Sequence, residues 1–399
     1  MFNSWRIVGG SFVSQAFVIG FFTYAVSLLT QPVREEFGVS NEMVMYSLTL
    51  GTFAGLFSMP IIGTLLDKIS ARKIFVSGVI VFALGLWLLS MSQSIVQYII
   101  VFGLTMAMVN ALAGAMISSA VVSRWFTENR GKALGVSATG TSVGGILVPG
   151  LIAYWLPDYG WRGTLENLSL VLLVFVLPMV FFNIRSWPSD AASAQSTQES
   201  SAAAPEQLGL KDIVGNPNFW WLGICLGLLF STYTGILSNL TPYATQLGHG
   251  KESASGLIMI IAVSGLLGKL LFGVAADIVN QKVALLAAQV LLCIGFVLFA
   301  SEPSYALIVT ACFLIGLAAG GMLPIWGGLI ASIFGLQSYG RAFGLMGPVI
   351  TLFVMMGFPL VGRLYDVTGS FSFGLWISAG LMGLAAILLL PLKIDKKTN

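Results

Sequence analysis

Twelve long apolar runs constrain this chain more than any other feature of its sequence. They lie at residues 7–29, 43–66, 74–91, 96–123, 132–155, 164–184, 218–243, 254–276, 283–300, 304–333, 342–364 and 371–392. A helix needs ~20 mostly apolar residues to cross bilayer hydrocarbon, and each run is of that order. The runs are continuous rather than alternating, which excludes a transmembrane barrel. Composition agrees, at 57% hydrophobic and 9% charged, against roughly 25% charged in ordinary soluble domains. One soluble core cannot hide that much apolar surface, so an all-α membrane protein with twelve transmembrane helices, embedded in a lipid bilayer, is expected. The first run is read as a span rather than a cleavable signal, because Gln31-Pro32 and an acidic loop stand where a small-residue cleavage site would be. Cys225, Cys293 and Cys312 all fall in apolar runs and read as small hydrophobes.

Charge position orients the chain. With both termini in the cytoplasm, fourteen of the 19 Lys and Arg fall on the cytoplasmic side and four outside, namely Arg34, Arg162, Lys251 and Arg363. That asymmetry supports an even number of spans and a multi-pass protein with cytoplasmic termini. Compactness and short loops suggest the inner membrane of a cell. The longest polar segment, residues 186–217, is rich in Ser, Ala and Gln. Such a stretch buries too little apolar area to fold and reads as a cytoplasmic linker between a bundle at 1–185 and a second at 218–399.

The two halves repeat at an offset near 209 residues. Gly63-x-x-x-Asp67 returns as Gly273-x-x-x-Asp277, Arg130-Gly131-Lys132 as Tyr339-Gly340-Arg341, and Leu151 to Gly160 as Leu360 to Gly369. Repeats of this kind place a substrate site at the repeat interface near the bilayer midplane. After Gly63 and Asp67 come Lys68, Arg72 and Lys73, a charged turn in which the glycine admits close helix approach and the aspartate can pair with neighbouring bases.

This turn resembles the cytoplasmic loop signature of the major facilitator superfamily, and the resemblance extends over essentially the whole chain. It implies two six-helix bundles and alternating access to a central site. A second stretch, Arg124-Trp125-Phe126 through Arg130-Gly131-Lys132 to Gly135, Gly140, Gly144 and Gly145, resembles the entry to the fifth helix in the monocarboxylate porter branch and its oxalate/formate exchanger relatives. The glycines thin one helix face for close packing. The first helix departs from the animal carriers, since Asn3-Ser4-Trp5-Arg6 lacks their acidic-glycine start. By position at helix ends on the cytoplasmic face, Asp67, Arg72, Arg124, Arg130 and Asp277 are expected to hold a gate.

A charge inside a span is costly and marks function by default. Lys269 is the one basic residue deep in a run, eight residues before Asp277, hence ~12 Å along the axis from the helix end. The resemblance implies a role for it, because an arginine of the eighth helix binds the substrate carboxylate in that family. Lysine offers a point charge where arginine would offer a bidentate fork. All 16 Asp and Glu fall in loops or at helix ends, and Gly265 occupies the place where the animal carriers have an aspartate. An incoming anion is therefore expected to serve as counter-charge. The rival reading is a lysine that snorkels to the surface.

Tyr24, Asn110, Ser118, Tyr233, Asn239 and Trp326, together with Gln15, are polar or aromatic residues within runs. Each could line a substrate path or serve as helix-to-helix glue. His249 reads as a solvated loop residue. No zinc spacing, phosphate-cradling loop or catalytic triad occurs, so no metal, cofactor, nucleic acid or enzymatic reaction is expected. The resulting expectation is a secondary transporter of a small organic anion, a monocarboxylate by resemblance, with proton symport open. The alternatives are a carrier of a neutral or cationic small molecule, such as a drug exporter, and a membrane enzyme or sensor.

Overall fold

Hydrocarbon offers no hydrogen bonds, so a spanning backbone must satisfy its own groups, and helices do so segment by segment. The computed structural model describes residues 2–65, 69–126, 130–185, 208–301 and 304–392, with no strand among them. The chain separates into two compact units, Met1–Ala203 and Ala204–Asn399. Ten helices among the described residues are long and apolar enough to cross a membrane. One of them, Ala133–Asn183, carries two spans, and Asn41–Leu65 supplies another, which gives the expected twelve.

In unit 1, span one is Ser4–Phe37, span two Asn41–Leu65, span three Ala71–Ser90 and span four Ile95–Val122. Spans five and six share the stretch Ala133–Asn183. Between them the sequence suggests a loop near 156–163, but the chain stays helical and breaks only at Gly160, where φ is 62° and ψ −178°. Only glycine takes such a backbone without strain. Span one widens into a π-helical turn at Gly20–Ala25, which presents Phe21 and Phe22 to Phe82 and Phe102, with ring centroids 5.1 to 6.3 Å apart.

Lipid tails are as apolar as leucine, so these helices associate through close packing and polar contacts rather than hydrophobic burial. Gly140 and Gly144 of span five sit on the Phe12 and Ala16 carbonyls of span one, with no room for a Cβ at either. Gly135 faces open space, so only part of the glycine series is used for this approach. Gln15 Nε2 donates to Ser137 Oγ at 2.7 Å across the same interface.

In unit 2, a short helix, Leu210–Gly215, precedes span seven, Pro217–Gln246. That short helix lies within the stretch read as linker, and its start is anchored: Leu208 N donates to Ser338 Oγ at 3.0 Å and Arg341 Nη1 to Leu208 O at 2.7 Å. Asn216 caps span seven by accepting from Asn218 N, and Pro217 starts the helix where a missing N–H costs nothing. Span eight is Lys251–Ile278, span nine Gln281–Ala300, span ten Tyr305–Gly335, span eleven Arg341–Thr368 and span twelve Ser372–Leu389. Spans eight and ten meet backbone to backbone, Gly268 on Leu317 O and Gly320 on Gly265 O.

Candidate functional site

Lys269 lies inside the apolar span eight, half-buried, directly after Gly268. Its backbone abuts span ten so closely that a side chain at Gly320 would collide with the Lys269 amide nitrogen. The Gly265–Gly268 face thus fixes the depth and rotation of the lysine, while Leu270 and Leu271, both 60% exposed, turn the adjoining face outward.

The other unit 2 candidates divide into two sets. Trp326 of span ten is buried and stacks on Phe343 of span eleven at 4.0 Å and 14°. Phe230 of span seven approaches the same indole edge-on at 6.1 Å, one turn before the buried Tyr233. The Trp326 indole N–H meets no hydrogen-bond acceptor among the described residues. Asn239 is fully buried and its amide donates to Gly235 O of its own helix at 2.8 Å.

In unit 1, Tyr24 is buried in the π-helical turn. Asn110 donates to Met106 O, one turn back on its own helix, at 2.9 Å. Ser118 is fully buried just beyond a break in span four at Gly114. The expected gate is only partly within reach. Asp67 lies outside the described residues, as do the side chains of Arg124, Arg130 and Asp277. Arg72 has a definite partner, since its Nε donates to Ile184 O at 2.9 Å and its guanidinium lies 5.2 Å from the Phe181 ring centre. A cation on the last carbonyl of span six is a helix C-terminal cap. Lys282 does the same in unit 2, donating from Nζ to Leu390 O at 2.7 Å and Leu392 O at 3.1 Å.

Sequence reasoning missed one polar cluster, at the far end of unit 1. Glu36, at the close of span one, accepts from the indole N–H of Trp161 and forms an ion pair with Arg162 at 2.6 Å. Arg162 also donates to Ser90 O and, at 2.6 Å, to Ser92 O, tying span three and its following loop to the junction of spans five and six. Its guanidinium lies 4.3 Å from the Trp161 ring centre. The available signal was the repeat itself, which ends at Gly160 immediately before these two residues.

A family model for the Major Facilitator Superfamily matches residues 12–271 and 251–399 of this chain. The chain belongs to that superfamily. Among its relatives, an MFS-type transporter of Gibberella moniliformis is 25% identical over 96% of this chain and 88% of its own length. Monocarboxylate transporter 13 of Rattus norvegicus is 24% identical over 97% and 89%. The agnestins efflux protein of Paecilomyces divaricatus is 25% identical over 97% and 87%. Among solved structures, a bacterial homolog of the human lysosomal transporter Spinster, inward-facing and occupied, aligns with a TM-score of 0.72 at 14% identity, covering 97% of this chain and 96% of that one. At that identity the likeness speaks for the fold. The chain is therefore a multi-pass membrane transporter of the major facilitator type.

Proposed function

We propose that this superfamily member moves a small organic anion, a monocarboxylate, across a membrane by alternating access, and that Lys269 is the charge that binds it. The observation that carries the reading is the place of Lys269, a cation within an apolar span, set at fixed depth by glycine packing on span ten. An ionisable group there is costly unless function retains it. The resemblance of span eight and the kinship with monocarboxylate transporter 13 support the same substrate class. Trp326, Phe230 and Tyr233, in the same unit as Lys269, are suited to the apolar body of the acid. Arg72 acts as part of the gate by holding the end of span six. Both termini are cytoplasmic, in a cell's inner membrane, and a proton accompanies the acid so that transport is electroneutral.

Calorimetry on purified protein tests this directly. Lys269→Ala is expected to abolish binding of short monocarboxylates while Lys269→Arg retains part of it with altered selectivity. Near-normal affinity in Lys269→Ala overturns the anion reading. A second reading, export of a neutral or cationic compound, draws on the relatives that are efflux proteins. Proteoliposome uptake of labelled acids, with and without a pH gradient, separates the two: an exporter of that kind shows no acid uptake in either condition.

A further inference from the structure

Span four does not cross unit 1 as a single helix. Its first half, Ile95–Ala113, ends at Gly114, where the backbone is extended with φ −79° and ψ −171°. A second half, Ala115–Trp125, restarts there for 11 residues without a side-chain cap. A restarting helix presents first-turn amides that have no acceptor within the helix, at its partially positive end. The carbonyls beside the break are better served. Ser14 Oγ of span one donates to Ala113 O at 2.6 Å, Gly114 N to Asn110 O at 3.1 Å, and Ser118 N to Gly114 O at 3.1 Å.

Two hydroxyls stand beside this break with nothing to bond. Ser11 and Ser118 are both 0% exposed, and neither hydroxyl meets a hydrogen-bond partner among the described residues. A buried polar group left so is costly and calls for an explanation. Their placement supplies one. Spans one and four run antiparallel, because successive spans cross the membrane in alternate directions, and the Ser14–Ala113 bond sets their register. From that bond Ser11 lies three residues back along span one, ~4.5 Å, on the same face as Ser14. Ser118 lies five residues forward along span four, ~7.5 Å in the same direction. Helical side chains lean toward the N-terminus of their own helix, so the Ser118 hydroxyl leans back over the first turn of its half-helix, toward the level of Ser11.

We infer that unit 1 holds a small-anion site of its own at the break in span four, formed by the Ser11 and Ser118 hydroxyls and the leading amides of Ala115–Trp125. The leading amides and the two hydroxyls can donate there, and the Asn110, Ala113 and Gly114 carbonyls are already engaged, so the ligand is an acceptor of hydrogen bonds. The positive end of the half-helix selects negative charge, as helix N-termini do for anions. The ligand is a halide, compact enough for a site closed to solvent. This site lies in unit 1, whereas Lys269 belongs to unit 2, and the inference stands whether or not Lys269 binds substrate.

The test uses the full-length protein purified in detergent, with thermal unfolding followed while sodium chloride replaces sodium gluconate at constant sodium. A ligand that binds the folded state raises the midpoint saturably. The wild type is expected to respond in this way. Ser11→Ala/Ser118→Ala removes hydroxyls that hold no partner among the described residues, so it should fold normally in gluconate yet bind the anion at least tenfold more weakly. Lys269→Ala should keep the response. An unchanged apparent Kd in the double serine variant overturns the inference. So does a response lost in Lys269→Ala and kept in the serine variant, which would put the anion at the lysine. A response that follows sodium when choline replaces it, or no saturable response at all, also overturns it, the latter leaving the hydroxyls dry or bridged by water.

Discussion

The two units build the same helix pair with opposite residues. In unit 1, span five brings the small residues: Gly140 on Phe12, Gly144 on Ala16, while one turn further Gly20 of span one sits against Val148. In unit 2 each of these levels is reversed. Gly223 of span seven meets Val349, Gly227 meets Phe353, and Gly357 of span eleven rests on Ser231. Each pair needs one side chain removed so that the helices can approach, and it does not matter which helix gives it up. What the repeat retains is the spacing between backbones.

The difference has consequences, because the two arrangements yield differently. A Cβ at Gly144 runs into the Ala16 carbonyl, a backbone atom that cannot turn aside. At Gly227 it runs into the Phe353 ring, which can rotate. Gly144→Leu is therefore expected to prevent assembly or to cost at least the ~1–3 kcal/mol typical of overpacking, whereas Gly227→Leu falls at the low end of that range. Size-exclusion profiles and unfolding midpoints of the two variants check this. Equal damage in both would show that the rings of unit 2 are as rigid as the backbone of unit 1.

A second contrast lies after two glycines of positive φ that match in the repeat, Gly160 and Gly369. Beyond Gly160, unit 1 closes span one onto the helix junction with the Glu36–Arg162 ion pair, whose side chains are 41% and 33% exposed. Beyond Gly369, unit 2 uses the neutral Gln246, which donates to Gly369 O at 3.1 Å and accepts from Phe371 N at 3.3 Å. Glu36→Gln should cost ~1 kcal/mol or less, given the exposure of the pair, and its effect should shrink as salt is added. Gln246→Ala should show no such salt dependence. Unfolding midpoints at low and high ionic strength sharpen the comparison, and a salt-independent Glu36→Gln effect would assign the cluster's strength to the Trp161 bond.

The smallest effect is expected where the units agree. Arg72 and Lys282 both cap the last carbonyls of the sixth helix of their own unit, a contribution of ~0.3–1 kcal/mol each. Arg72→Gln and Lys282→Gln should lower stability to a similar small extent. If Arg72→Gln instead leaves stability alone and slows transport, the residue is a gate in more than position.

The spans were legible because hydrophobicity and length are local properties. The same holds for the repeat, for the lysine in span eight and for the close-packing role of Gly140 and Gly144. Asn110 and Asn239 were not legible. Each could line a substrate path or serve as glue between helices, and the structure adds that each amide donates to a carbonyl one turn away on its own helix, a choice that rotamer and packing make together. Arg72 could be placed at a helix end from sequence, but its partner Ile184 lies 112 residues away.

The amino-acid sequence alone determined that this chain crosses a membrane twelve times in two related halves with one cation inside a span, because the cost of placing polar groups in hydrocarbon is settled residue by residue. Only the tertiary structure decided that span four breaks at Gly114 beside two buried hydroxyls, that the glycines change sides between the units, and that Glu36 finds Arg162. Those outcomes depend on which helix faces meet and at what register, and contacts between segments a hundred residues apart leave no local trace in composition or period.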